Sequence, residues 1–219
     1  MNFLNNILLS TVFLITFLFS GFSQNAFEGK VILGMNYDQL PEGLEMMSAM
    51  LPDESVLYIK DDYTRAEQSI GMLGTQIVIT DTKEEKVTML YDMLGQKYAV
   101  IMSVDDLAEK EKPGKQKIEY INESKKVAGY NCKKAEISYD DDDGILTVWY
   151  TEDIPAASSN KFEGLNGFPL EYEVSKQEMK ITITAKEISK EKVPSSYFQV
   201  PDGYKTITQE EMQQMFGGR

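Results

Sequence analysis

The sequence predicts a mainly β domain of the α+β kind, with about ten antiparallel strands and a few helices. Three observations lead there. Short apolar alternations of period two recur along the chain, turn residues separate them, and no linker-like Pro, Gly or Ser tract divides them.

Val31, Leu33 and Met35 alternate with Lys30 and Gly34, which reads as a first strand. Val87, Met89, Tyr91 and Met93 alternate with Thr88 and Asp92, and after Leu94 to Lys97 the chain returns as Tyr98, Val100, Met102 and Val104. That is a hairpin. Ala135, Ile137 and Tyr139 lead into Asp140 to Gly144, where Asp143-Gly144 predicts a tight turn, and Ile145 to Thr151 leads out. A third pair is cleaner: Leu170, Tyr172 and Val174 oppose Glu171, Glu173 and Ser175, and Ile181, Ile183 and Ala185 oppose Thr182, Thr184 and Lys186. Ile145 to Tyr150 is apolar on both faces, as in a strand covered on two sides.

Helical spacing appears in three places. Leu40, Leu44, Met47 and Leu51 place a helix at Pro41 to Leu51, between the first and second strands. Ser103 to Lys112 reads as a short polar helix with an acidic first turn. Thr208-Gln209-Glu210-Glu211 is a capping box ahead of Met212, Met215 and Phe216.

At the start of the chain, an apolar stretch from Ile7 to Phe19 precedes Ser20-Gly21-Phe22-Ser23-Gln24. The layout predicts a signal peptide over 1–23, cut before Gln24, and it is too short to span a bilayer. The expectation is an exported protein, periplasmic or extracellular, soluble and without a lipid anchor, since the one Cys is Cys132 and lies far from the cut. Residues 24–219 then form a single domain, a length that suits one core.

A net charge of -13 argues against nucleic acid as a partner. With one Cys no intramolecular disulfide forms. The chain has no His, which rules out Ser-His-Asp and Cys-His nucleophilic systems and histidine zinc sites. A pair of carboxylates sufficient for glycoside hydrolysis remains open, against the reading of the acidic residues as solvated surface. Asp140 to Asp143 reads as an acidic hairpin tip, with Tyr139 and Tyr150 where a calcium loop needs acidic residues. We expect no catalytic residue, no metal and no cofactor.

The methionines carry the remaining signal. They gather in the first predicted helix, at Met46, Met47 and Met50, and on apolar strand faces, at Met72, Met89, Met93, Met102 and Met179. Thioethers suit a pocket for varied apolar ligands, and equally a Met-rich core. Candidate ligand-binding residues are Leu44, Met46, Met47, Met50, Arg65, Met89, Met102 and Trp149. Arg65 has two readings, facing a ligand head group or pairing with Glu67. Cys132 reads as a small packing residue rather than a reactive thiol.

Several stretches, taken in order, resemble a family of secreted bacterial proteins similar in fold to the outer-membrane lipoprotein carriers, the LolA-like superfamily. They are Asp61 to Glu67, Lys126 to Ala135, Leu146 to Ile154, Gly167 to Leu170 and Phe198 to Tyr204. Gly164 to Phe168 also resembles the segment that names the GLPGLI group, with Asn166 where that group has proline. The resemblance implies a strongly curved antiparallel sheet, a half-open barrel with helices covering its concave face. Only the fold is carried over from the resemblance; the leading functional expectation is a non-enzymatic binding protein for a lipid, acyl chain or other apolar ligand, with Pro41 to Leu51 as its lid. The alternative is an interaction module of the cell envelope, with a packed core, an envelope protein as partner and no ligand.

Overall fold

The structure is a computed structural model, and it describes residues 27–42, 51–69, 74–93, 95–103, 115–140, 142–155, 162, 164–176 and 179–216. Twelve strands form one sheet: β1 (Gly29–Gln39), β2 (Glu54–Lys60), β3 (Tyr63–Ser69), β4 (Gly74–Asp81), β5 (Lys86–Met93), β6 (Gln96–Ser103), β7 (Gln116–Val127), β8 (Tyr130–Tyr139), β9 (Asp142–Thr151), β10 (Phe168–Lys176), β11 (Met179–Lys190) and β12 (Lys205–Ile207). A one-turn 3-10 helix spans Ser195–Phe198, and helix α1 spans Gln209–Phe216.

Across the sheet the strands run β12-β6-β5-β4-β3-β2-β1-β11-β10-β9-β8-β7. Two features depart from the sequence expectation. There are twelve strands rather than about ten, because three-residue β12 and largely polar β7 carry too little apolar alternation to announce themselves. The sheet is mixed, since β12 runs parallel to β6. Among the described residues the sheet ends on β12 and β7, and it does not close into a barrel.

Strand register explains the burial. Directly paired residues share a face, so β5 and β6 put Met89, Val100, Tyr91 and Tyr98 on one side and Leu90 and Ala99 on the other. Both sides are packed there. Leu90 and Ala99 join Ile77 and Ile79 under Phe198 and Tyr204, whereas Tyr98, Val100 and Ile207 lie under Met212 of α1. The two described helical segments therefore sit on opposite faces, and they do not together cover one concave side.

A strap built from residues 191–204 carries the chain from β11 to β12. Its backbone at Val193 accepts a bond from Lys60 Nζ (2.8 Å) and donates to Glu28 Oε1 (2.8 Å). Tyr197 meets Tyr58 edge-on at 5.0 Å, and Phe198 lies 5.3 Å from Tyr63.

Further along the sheet, β8 and β9 change the face they bury. Cys132 and Trp149 belong with Val127, Ile154, Phe168 and Leu170, while Ala135, Ile137, Val148 and Tyr150 pack with Phe162, Leu165 and Tyr172. This is the two-sided cover expected of β9, although Ile145 at its start is 63 % exposed. The β7–β8 hairpin turns on Ala128 and Gly129, both at positive φ, as a two-residue turn between twisted strands requires.

The β8–β9 turn falls earlier than the sequence suggests. Tyr139 pairs with Asp142 and Ser138 with Ile145, so Asp143-Gly144 lies within β9 at a register shift, and Asp140 lies in the turn. The expected helix at Pro41 to Leu51 falls largely on residues outside those described, as does Ser103 to Lys112, of which Ser103 ends β6. The capping box stands as read: Thr208 Oγ1 accepts from Glu211 N (3.1 Å), and Glu211 Oε2 accepts from Thr208 N (2.8 Å).

Candidate functional site

Following the register across seven strands yields one continuous apolar row. Val31 pairs with Leu57, Leu57 with Ala66, Ala66 with Val78, Val78 with Met89, Met89 with Val100, and Val100 with Ile207. All seven side chains share a face. The ends of this lane are buried at Val31, Val100 and Ile207, whereas Leu57, Ala66, Val78 and Met89 between them are only half-buried. At the usual spacing of adjacent strands, that half-open middle is roughly 14 Å long.

Two rows flank the lane. On one side Ser55, Gln68, Gln76, Tyr91 and Tyr98 follow one another through paired positions. This row is polar but uncharged. Gln76 Nε2 donates to the Tyr91 hydroxyl (3.4 Å), Tyr91 donates to Met89 Sδ (3.3 Å), and Gln68 Nε2 reaches Met35 Sδ (3.5 Å). Burial raises the Tyr91 hydroxyl above the usual tyrosine range, and the bond from Gln76 opposes it. On the other side Ile59, Thr64, Thr80, Val87 and Met102 succeed one another, with Met102 half-buried.

The sequence-derived candidates separate. Met89 and Met102 lie on the lane face. Arg65 pairs with Tyr58 and Ile79 on the other face, where its Nε contacts Glu67 Oε1 at 2.5 Å and its Nη1 donates to Tyr197 O at 2.7 Å. Its pairing with Glu67 is the second of the two readings. Trp149 lies in a different cluster, with Lys125 Nζ 4.5 Å over its ring and bonded to Glu171 (2.5 Å). Leu44, Met46, Met47 and Met50 lie outside the described residues, as does Met72. Leu57, Ala66, Val78, Gln68, Gln76 and Tyr91 were not singled out, because only the pairing of strands far apart in sequence puts them in rows.

Among the described residues no group of His, Cys, Asp and Glu is placed to hold a metal, and no helix is long and apolar enough to cross a membrane. Cys132 is fully buried, and desolvation pushes its thiol above the usual range.

An open, largely antiparallel β domain with an apolar lane is the class this fold defines. The profile of the N-glycanase peptide, N-terminal domain family matches residues 65–210, and the chain belongs to that family. No curated protein sequence matches the chain. Among solved structures, PNGF-II is similar in two crystal forms, with TM-scores of 0.54 and 0.52 and identities of 16% and 15%. The likeness covers 88% and 87% of this chain, and the chain spans about a third of PNGF-II (33% and 32%). At that identity it shows the fold alone. Mycobacterium tuberculosis lipoprotein LppX is similar at a TM-score of 0.40 and 7% identity, over 76% of this chain and 89% of LppX.

Proposed function

We propose that the chain is a non-enzymatic binding domain of the cell envelope that holds an acyl chain or similar apolar ligand along the lane from Leu57 to Met89. The observation that carries this reading is the unbroken apolar row, half-open in the middle and closed at both ends. An unbranched chain laid across the strands would bury Leu57, Ala66, Val78 and Met89, and the Met89 thioether would adapt to its contour. Gln68, Gln76 and Tyr91 beside the lane offer amide and hydroxyl groups to an ester or acid at the chain's polar end. The apolar first stretch of the sequence supports export to the periplasm or beyond.

Purification from native envelopes, followed by solvent extraction and mass spectrometry, tests the proposal. The expected result is about one acyl lipid per chain, as one lane of this length accommodates. Chains that are empty on every preparation contradict it.

A second reading, an envelope interaction module with no ligand, draws on the family. PNGF-II is about three times as long, so there a domain of this fold is one part of a larger protein. Recovery of a stoichiometric protein partner with the empty domain favours this reading.

A further inference from the structure

A side chain of helix α1 stands at the β12 end of the lane. Helix α1 lies against β6, and Met212 packs on Tyr98, Val100 and Ile207, beside Met89 and Met102. Among its described side chains, Glu210, Glu211 and Gln214 are exposed, and Met212 is the apolar one that reaches the sheet.

The helix is short. It has eight residues, a length that is marginal without tertiary packing, and three-residue β12 leads into it. The strap before β12 is anchored through Val193, Tyr197 and Phe198 on the other side of the sheet. These strap anchors do not involve α1.

We propose that α1 is a displaceable stopper, with Met212 occupying the end of the lane into which an apolar chain extends when it binds. This deepens the reading of the lane as a binding site and rests on it. A thioether on the floor formed by Tyr98, Val100 and Ile207 satisfies the same surface that an acyl terminus would. Ligand entry and release of α1 are then one event, and apparent affinity is lowered by the fraction of molecules in which the helix is seated.

The test uses the full chain and Nile red, a neutral apolar dye. Met212→Asp should weaken the seat and raise dye affinity about tenfold, while Met212→Leu leaves it near wild type. In the unaltered protein, saturating dye should speed hydrogen exchange at the amides of residues 210–216 and leave those of β6 protected. Dye binding with equal affinity in wild type and Met212→Asp, with exchange of α1 unchanged, overturns the stopper and leaves the lane intact. No dye binding by any of the three proteins overturns the lane and the stopper with it.

Discussion

Arg65 and Tyr197 stand 132 residues apart in sequence, yet the guanidinium donates to the Tyr197 carbonyl at 2.7 Å and lies 5.5 Å from the centre of its ring. The same guanidinium is held by Glu67, and the Arg65 side chain is only 11% exposed. This contact fixes the strap against β3, and the strap sets where β12 and α1 begin.

Arg65→Ala should therefore destabilise the domain by about 2 kcal/mol, since it removes a charge-assisted hydrogen bond, an ion pair and stacking on Tyr197 together. Arg65→Lys keeps the charge without the planar fork and should recover less than half of that. Urea unfolding of the two variants measures both. Ligand binding at the lane, on the opposite face, should change only as far as α1 loosens.

The other strap anchor is sensitive to acid. The backbone bond from Val193 holds the Glu28 carboxyl below its ordinary value of 4.5, helped by Lys60 at 3.3 Å and opposed by desolvation. A carboxylate whose value is lowered by folding gives stability that is fully present above the unfolded value and is lost as pH falls through the folded one. Protease cleavage within residues 191–204 should thus rise below about pH 4.5. Glu28→Gln should show that susceptibility already at neutral pH and lose most of its dependence on pH.

At alkaline pH the dependence runs the other way. Burial among apolar side chains pushes the Tyr172 hydroxyl up to about 12 from 10.0, and the residue is 9% exposed. Folding keeps this phenol protonated, so its contribution is fully present below pH 10 and is lost as pH rises toward 12. Tyr172→Phe should remove that alkaline loss, which thermal melts between pH 9 and 11.5 will detect. An ultraviolet titration of the wild type should show one phenol ionising last.

Cys132 should resist modification. Its thiol is fully buried and its ionised form is disfavoured by desolvation. Labelling by a disulfide reagent should be at least a hundredfold slower than for a free thiol, and it should appear together with unfolding in denaturant. Fluorescence of Trp149, the sole tryptophan, reports the same cluster. Lys125→Ala uncovers the ring and should raise its quenching by acrylamide, at a cost of about 1 kcal/mol.

The extent to which these features are legible in sequence follows from range. The β10–β11 hairpin reads directly, because Tyr172, Val174, Ile181 and Ile183 alternate with polar residues and pair across a short turn. The β5–β6 hairpin does too, with Val87 opposite Met102 and Met89 opposite Val100. By contrast β7 has Ile118 and Ile121 among charged residues and a register shift after Ile121, so its period is broken. β12 pairs in parallel with a strand about a hundred residues earlier, and no local pattern encodes that. The lane has the same character: Leu57, Ala66 and Val78 look unremarkable singly and form a row only through cross-strand register. Met89 and Met102 were visible because methionine is conspicuous, and Arg65 because it is charged. The face that Arg65 occupies depended on the strap.

Filling the lane offers a direct check on its role. Ala66 is half-buried midway along it, between Leu57 and Val78. Ala66→Phe should occupy the middle of the lane, weaken acyl binding at least tenfold, and change stability by less than about 1 kcal/mol, because the added ring points to a half-open surface.

Methionine-methyl NMR of the full chain during titration with palmitate reads acyl binding along the lane. The methyl resonances of Met89, Met102 and Met212 should shift together and saturate at one ligand per chain, while Met179, paired with Lys176 at the far end of β11, stays fixed. Resonances that do not move, or shifts confined to methionines away from the lane, would contradict it.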